Sequence, residues 1–455
     1  MPRFPAQTAL SIATLAAVLT LLPQIAPAIK GPHMAQLASL AEFNPDRTPL
    51  IPWRPHPIAE IEHPIHLIKK DIKPLLEDAN GGLDHFYAAL WRTERKEPNA
   101  VTRITHYGDS PTTADLITGD IRAQLQADFG DAGHGFILLA KPWAWYQHRA
   151  VSLDGSGWQI LPATHFETKD GLFGLGGVSF VGSASSHTRI QLADPGQSHF
   201  ELYYLQEPGG GTVTVTSNEK PTAEIPTAGD TDAPGFAAFD VAGGASQLEL
   251  RPEGQVRLYG LTAEKPSPGV VYDSLGLNGA SITVLSHMFN QQHWAAELRR
   301  RNPNLVVINY GTNEADFEAF VDKQYEKELR EAIRRVRAAL PGASVLVMSP
   351  MDRGHRTGSG DIETMVTIPR IVDTQRRVAE ETGCGFFDTF TAMGGAGTMA
   401  RWYASQPRLV SADFIHPYPA GGKIIATVLV KQIESGLSRY KLRQVRQTST
   451  SSAVR

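Results

Sequence analysis

The sequence predicts an α/β protein built on a parallel β-sheet and interrupted by an all-β insertion. Three observations predict it. From about residue 263 onward, short apolar strands alternate with amphipathic helices, as strands buried on both faces do. The same order, strand then helix, occurs once earlier, around residues 101–129. Between the two, from 150 to 262, helical periodicity is absent and glycine clusters separate short alternating runs, the texture of a sandwich or jelly roll.

Each element follows from its local pattern. Residues 29–75 are proline- and histidine-rich without a period and read as an extended leader. Leu83, Phe86, Leu90 and Trp91 share one face of a short helix that ends the 29–100 stretch. Val101–His106 alternates as a strand and runs into Gly108-Asp109-Ser110; Ile117, Ile121, Leu125 and Phe129 then recur every four residues as a helix. In the insertion, Phe200–Tyr204, Thr212–Thr216 and Gln247–Leu250 are strands. After Pro266 come strands at Val270–Asp273, Leu305–Asn309, Ser344–Ser349 and Gly385–Asp388. Helices follow through Tyr325, Leu329, Ile333, Val336 and Leu340, through Val372–Glu381, and near Ile424–Ile433. The α/β domain is thus expected in two pieces, 101–149 and 263–438, around the 150–262 insertion. Residues 439–455, basic and Ser/Thr-rich, are expected to be a flexible tail.

Composition narrows the function. With 455 residues the chain is long enough for more than one core. A net charge of −4 offers no basic stripe for a nucleic-acid partner. Arg3, the apolar run Thr8–Pro23 and the small-x-small step Ala26-Pro27-Ala28 have the order of a secretory signal peptide, 1–28. The alternative is an uncleaved anchor, for which the run is shorter than the roughly 20 residues of a spanning helix. No second apolar stretch is long enough to span, so export to the periplasm or the exterior is expected, with no transmembrane domain once the signal is removed. The single cysteine, Cys384, cannot form an internal disulfide and reads as a buried small hydrophobe. His287 and His293 do not share a helix face and no His-Glu-x-x-His motif occurs; neither a metal nor another cofactor is expected.

Ser110 follows a strand and precedes Pro111, which suits a serine cap with proline at the first helical position. It would then stand at the carboxyl end of a parallel strand, where ligands bind in such sheets. Alone, it would be only a cap. At the end of another strand lies Gly311-Thr312-Asn313-Glu314, and Asp413 and His416 stand three apart in a loop before the last helix. An acid at that spacing can reach the imidazole Nδ1 and leave Nε2 free to take a proton. Asn313 as a turn residue, Asp413 as a cap and His416 as a solvated loop residue are the plainer alternatives. Glu314 and Asp316 read as cap and surface residues rather than a glycosidase pair. The aromatic run at Lys141–Arg149, with Trp143, Trp145 and Tyr146, reads first as the anchor of a domain junction and second as a sugar-stacking surface.

The Tyr107-Gly108-Asp109-Ser110 stretch resembles the first block of SGNH (GDSL-like) hydrolases. Ser274-Leu275-Gly276-Leu277-Asn278-Gly279-Ala280 resembles the second, Gly311-Thr312-Asn313-Glu314 the third and Asp413-x-x-His416 the fifth. The resemblance covers about 101–149 and 263–438, and Pro111 stands where family members often have leucine. It implies a three-layer αβα, flavodoxin-like fold without a cofactor. It implies Ser110 as nucleophile, His416 as base and Asp413 as its orienting acid. The backbone N–H groups of Ser110 and Gly279 and the Asn313 amide would form the oxyanion hole, Gly279 being taken over Gly276 from the alignment of the second block. The inserted module, the Asp273–Gly276 run and Ala392-Met393-Gly394-Gly395 resemble bacterial peptidoglycan O-acetylesterases and related deacetylases. The implied partner is an acylated polysaccharide, or another small acyl ester, and the implied reaction is loss of an O-acetyl group. An O-acyltransferase with the same triad, or a glycan-binding protein with an inactive hydrolase domain, are the alternatives.

Overall fold

A computed structural model describes residues 74–78, 80–164 and 170–453, with backbone alone from 448. The expected signal segment and nearly all of the 29–75 leader lie outside the described residues. Among the described residues no helix is long and apolar enough to cross a membrane.

The central sheet has six strands in the order Leu76–Glu77, Gly385–Phe387, Ser344–Met348, Leu305–Asn309, Val101–Gly108, Gly269–Gly276. All neighbours are parallel except the first pair: Leu76–Glu77 runs antiparallel to Gly385–Phe387. The sheet is therefore mixed rather than wholly parallel, the residues just past the leader covering an edge. Alternation along the strands divides the core in two. Leu305 and Val307 face a cluster with Phe86, Ile121 and Leu429, from the helices Asp84–Glu94, Thr118–Phe129 and Pro419–Ala453. Val306 and Ile308 face the other way, toward Leu298, Ile333 and Ile371 from Gln291–Arg301, Tyr325–Ala339 and Thr367–Glu381. Cys384 is buried, as its apolar surroundings predict, and burial raises its thiol pKa.

The β-rich stretch forms two antiparallel sheets. One runs Lys220–Pro226, Thr212–Ser217, Gln247–Glu253, His187–Leu192, Val151–Ser156. The other runs Ala233–Asp240, His199–Gln206, Val256–Glu264, Val178–Gly182, Gln159–Pro162. Val213, Val215, Leu248 and Leu250 of the first sheet share one buried cluster with Phe200, Leu202 and Leu258 of the second. Gly133–Ile137, read in sequence with the first α/β piece, pairs instead with Val256–Glu264, so the chain enters these sheets before residue 150.

A buried ion network joins the two parts. Arg301 donates to both oxygens of Asp273, at 2.7 and 2.8 Å, and also to Glu264. Arg103 grips Glu264 at 3.1 and 2.7 Å, and Asp273 accepts the Phe136 N–H at 2.9 Å. Desolvation opposes charge on Glu264, but Arg301 and Arg103 outweigh it and hold the carboxyl at about 2.

The expected flexible tail is a helix. Pro419–Ala453 continues well past Arg439. Tyr440 is buried with its ring edge-on to Trp91, and Lys441 and Arg443 pair with Glu94 and Asp84. The apolar contact and these pairs hold a segment whose own composition favours fraying.

Candidate active site

Strand register brings three loops to one level. Gly108 is opposite Gly276 on one side and Asn309 on the other. Asp109-Ser110, Leu277–Gly279 and Gly311–Asn313 therefore leave the carboxyl ends of three adjacent strands together, at the position where open α/β sheets bind ligands. Leu277 N–H donates to the Gly108 carbonyl at 3.0 Å. A Cβ on Gly276 would lie 2.1 Å from the Thr113 nitrogen, so glycine there lets the second loop's strand press against the backbone after Ser110.

Ser110 opens a single helical turn, Ser110–Thr113. The expected cap lies one residue earlier: Asp109, in extended conformation, offers its carbonyl to the Thr112 and Thr113 N–H groups at 3.1 Å each. Ser110 is thus the first helical residue, with its side chain free for other contacts. Its Oγ lies 2.7 Å from His416 Nε2.

His416 is held by Asp413. Asp413 Oδ2 accepts from His416 Nδ1 at 2.7 Å, and Oδ1 accepts the N–H groups of Ile415 and His416 at 2.9 and 3.1 Å and the Ser411 hydroxyl. Desolvation raises the Asp413 pKa, but the bonds from Ser411, His416 and the backbone prevail and hold it at about 2. An ionised carboxylate only accepts, so Nδ1 carries the proton and Nε2 is left as the acceptor for the serine hydroxyl. The His416 and Asp413 side chains are 39% and 45% exposed, so the pair opens to solvent instead of lying in a deep pocket.

The remaining expected residues line the adjoining loops. Asn313 Nδ2 donates to the Ala280 carbonyl at 2.8 Å, tying the third loop to the second. Gly279 is exposed, has φ +68° and would meet nothing within 4 Å if it carried a Cβ. Glycine is favoured there by the backbone conformation rather than by crowding. Gly276, by contrast, is buried in the strand.

Sequence reasoning missed two buried acids. Asp316 is on the surface as expected, paired with Arg353 at 2.6 Å. Glu314 is not: it is 1% exposed, and its two oxygens accept the Ile282 N–H at 2.7 Å and the Gly311 N–H at 3.0 Å. Two backbone donors buried beneath the loops require an acceptor, and Glu314 supplies it. Burial raises its carboxyl to about 7. Asp109 is also buried; desolvation lifts it to about 6 against a hydrogen bond from Thr312 and the charge of His416. The aromatic run divides. Tyr146 is buried and its hydroxyl accepts the Leu138 N–H at 3.3 Å, as an anchor should, whereas Trp145 is 51% exposed.

Comparison with known proteins agrees with this architecture. Residues 243–424 match the GDSL-like lipase/acylhydrolase family, a span that holds Gly279, Asn313, Asp413 and His416 and begins after Ser110. No curated protein sequence matches the chain. Among solved structures, a peptidoglycan O-acetylesterase is similar at 24% identity and TM-score 0.69, covering 80% of this chain and 99% of its own; at that identity the likeness is one of fold. A salicylyl-acyltransferase from a tetracycline biosynthetic pathway (12% identity, 64% of this chain and 98% of its own, TM-score 0.28) is much more distant. So is a family two carbohydrate esterase from Clostridium thermocellum (14%, 62% and 99%, TM-score 0.27). With its loops at one sheet end and the family match across the second, third and fifth blocks, the chain carries a GDSL/SGNH-type carboxylic ester hydrolase domain.

Proposed function

We propose that the protein is an exported serine esterase that removes O-acyl groups, acetyl in particular, from a cell-envelope polysaccharide such as peptidoglycan. The observation that carries the reading is the continuous hydrogen-bonded line Ser110 Oγ, His416, Asp413, at 2.7 Å for each link. Ser110 attacks the acyl carbonyl while His416 Nε2 takes its proton; the imidazolium, stabilised by Asp413, then protonates the departing sugar oxygen. Water repeats the sequence on the acyl-enzyme and releases the acid. The N–H groups of Ser110 and Gly279 and the Asn313 amide hold the oxyanion. The exposure of Gly279 and the burial of Gly276 support the choice of glycine.

The substrate class is supported by the fold shared with the peptidoglycan O-acetylesterase and by the open triad, which admits an ester on a polymer. The strands from Val101–Gly108 onward, numbered in chain order, lie as 2-1-3-4-5. That order supports a flavodoxin-like, three-layer hydrolase domain in two pieces, one before Gly133 and one after Glu264. The inserted sandwich then extends from Gly133–Ile137 to Val256–Glu264, and 1–28 is the signal peptide.

The test is acetate release from 4-nitrophenyl acetate and from O-acetylated peptidoglycan by the purified protein beside Ser110→Ala. Release from both substrates, lost in the variant, is expected. Transfer of acetyl to added sugar in place of free acetate would make it an acyltransferase; no turnover of either would leave glycan binding as the function.

A further inference from the structure

We propose that Trp145 is a sugar-binding platform at the mouth of the active site, stacking on the pyranose that carries, or adjoins, the acylated hydroxyl. The assignment rests on the polysaccharide reading above and names a contact which that reading lacks.

Three observations carry it. The first is an exposed ring with a defined hydrogen-bond partner. Trp145 leaves half its surface in water between the half-buried Trp143 and the buried Tyr146, yet its indole Nε1 donates to Asn278 Oδ1 at 2.8 Å. A turn closed by the Tyr146 N–H on the Trp143 carbonyl at 3.0 Å fixes the backbone beneath it. A large apolar ring held in one orientation and left wet suits a ligand that is itself half apolar, as a pyranose face of C–H groups is.

The second is position. Asn278 directly precedes Gly279, and the Gln147 N–H donates to the carbonyl of Thr113, in the turn that Ser110 opens. The segment bearing Trp145 therefore bridges the nucleophile turn and the second loop, the two backbones proposed to hold the oxyanion.

The third is space. Gly279 next to it is exposed with nothing within 4 Å of where a side chain would start, and the triad is open to solvent. A ring lying on the indole has room to bring a substituent toward Ser110. A junction anchor accounts for Tyr146 but leaves the exposure of Trp145 unexplained.

The experiment compares Trp145→Ala, Trp145→Phe and Asn278→Ala with the unaltered protein, on O-acetylated peptidoglycan and on 4-nitrophenyl acetate. A soluble N-acetylglucosamine oligomer is used as inhibitor of the small ester. Loss of the indole is expected to lower kcat/KM on the glycan about tenfold more than on the small ester, and to weaken oligomer inhibition about tenfold. Phenylalanine, which keeps an aromatic face without the N–H, should restore part of both, and Asn278→Ala, which frees the indole but keeps its face, should weaken oligomer inhibition less than Trp145→Ala does. Parallel losses on both substrates in Trp145→Ala and Asn278→Ala, with oligomer inhibition unchanged, would make Trp145 a mere support of the loop and overturn the proposal. Turnover of the small ester without any turnover of the glycan by the unaltered protein would overturn the polysaccharide reading, and this assignment with it.

Discussion

Glu314 accepts the Ile282 N–H on one carboxylate oxygen while the other accepts the N–H of Gly311, so a single side chain clamps the loop bearing Asn313 to the chain just past Gly279. Glu314→Gln keeps one acceptor and turns an NH2 against the remaining N–H. We expect kcat on 4-nitrophenyl acetate to fall about 10- to 100-fold, less than for outright loss of an oxyanion donor. Steady-state kinetics on the folded variant checks this.

The same carboxyl makes a pH prediction. Burial raises it from 4.5 to about 7, so the folded chain binds this proton more tightly than the unfolded chain. Its ionised form therefore opposes folding above pH 7, and the opposition fades as pH falls from about 7 to 4.5. Over that window the unaltered protein should gain Tm relative to Glu314→Gln. A difference that stays flat with pH would contradict the shift.

Asp413→Asn should lower kcat by about 10³–10⁴, because an amide facing Nδ1 favours the wrong tautomer of His416. Depressed from 3.8 to about 2, the Asp413 carboxyl contributes stability that is full above pH 3.8 and lost as pH falls through about 2. Acid unfolding of the variant should lack that component, which a circular-dichroism titration can resolve.

Asn313→Ala should cost about 10²–10³ in kcat. It also removes the bond to the Ala280 carbonyl, a loss of about 1 kcal/mol in stability. A small change in the urea midpoint beside a large change in kcat separates the two roles.

Arg301→Ala should destabilise the fold by about 3–5 kcal/mol, since it leaves Asp273 and Glu264 buried with a reduced share of positive charge. Urea unfolding measures this directly.

Much of the fold was legible because its strands and helices are strongly periodic. The Val306/Val307 alternation and the Tyr325–Ala339 stripe each lie within one element. Asp413 and His416 were legible as a pair because three residues of turn bring them together. What remained hidden depends on distant chain. Gly133–Ile137 contains two glycines, and nothing local marks it as a strand of either set of sheets. Leu76–Glu77 is too short to show a period. Glu314 looks like any loop acid until two buried N–H groups are found above it. Residues 439–453 carry no broad apolar stripe, and their helix is held by Tyr440, Lys441 and Arg443 against a helix far away in sequence.

The placing of Val101–Gly108 between two strands made much later has a consequence for synthesis. Ser110 and His416 are 306 residues apart; at about 5–20 residues per second the nucleophile waits roughly 15–60 s for its base. On the proposed mechanism, the growing chain acquires hydrolytic competence only after residue 416 has been made. Any product that terminates before residue 416 would be chemically silent, whatever part of its sheets has already assembled.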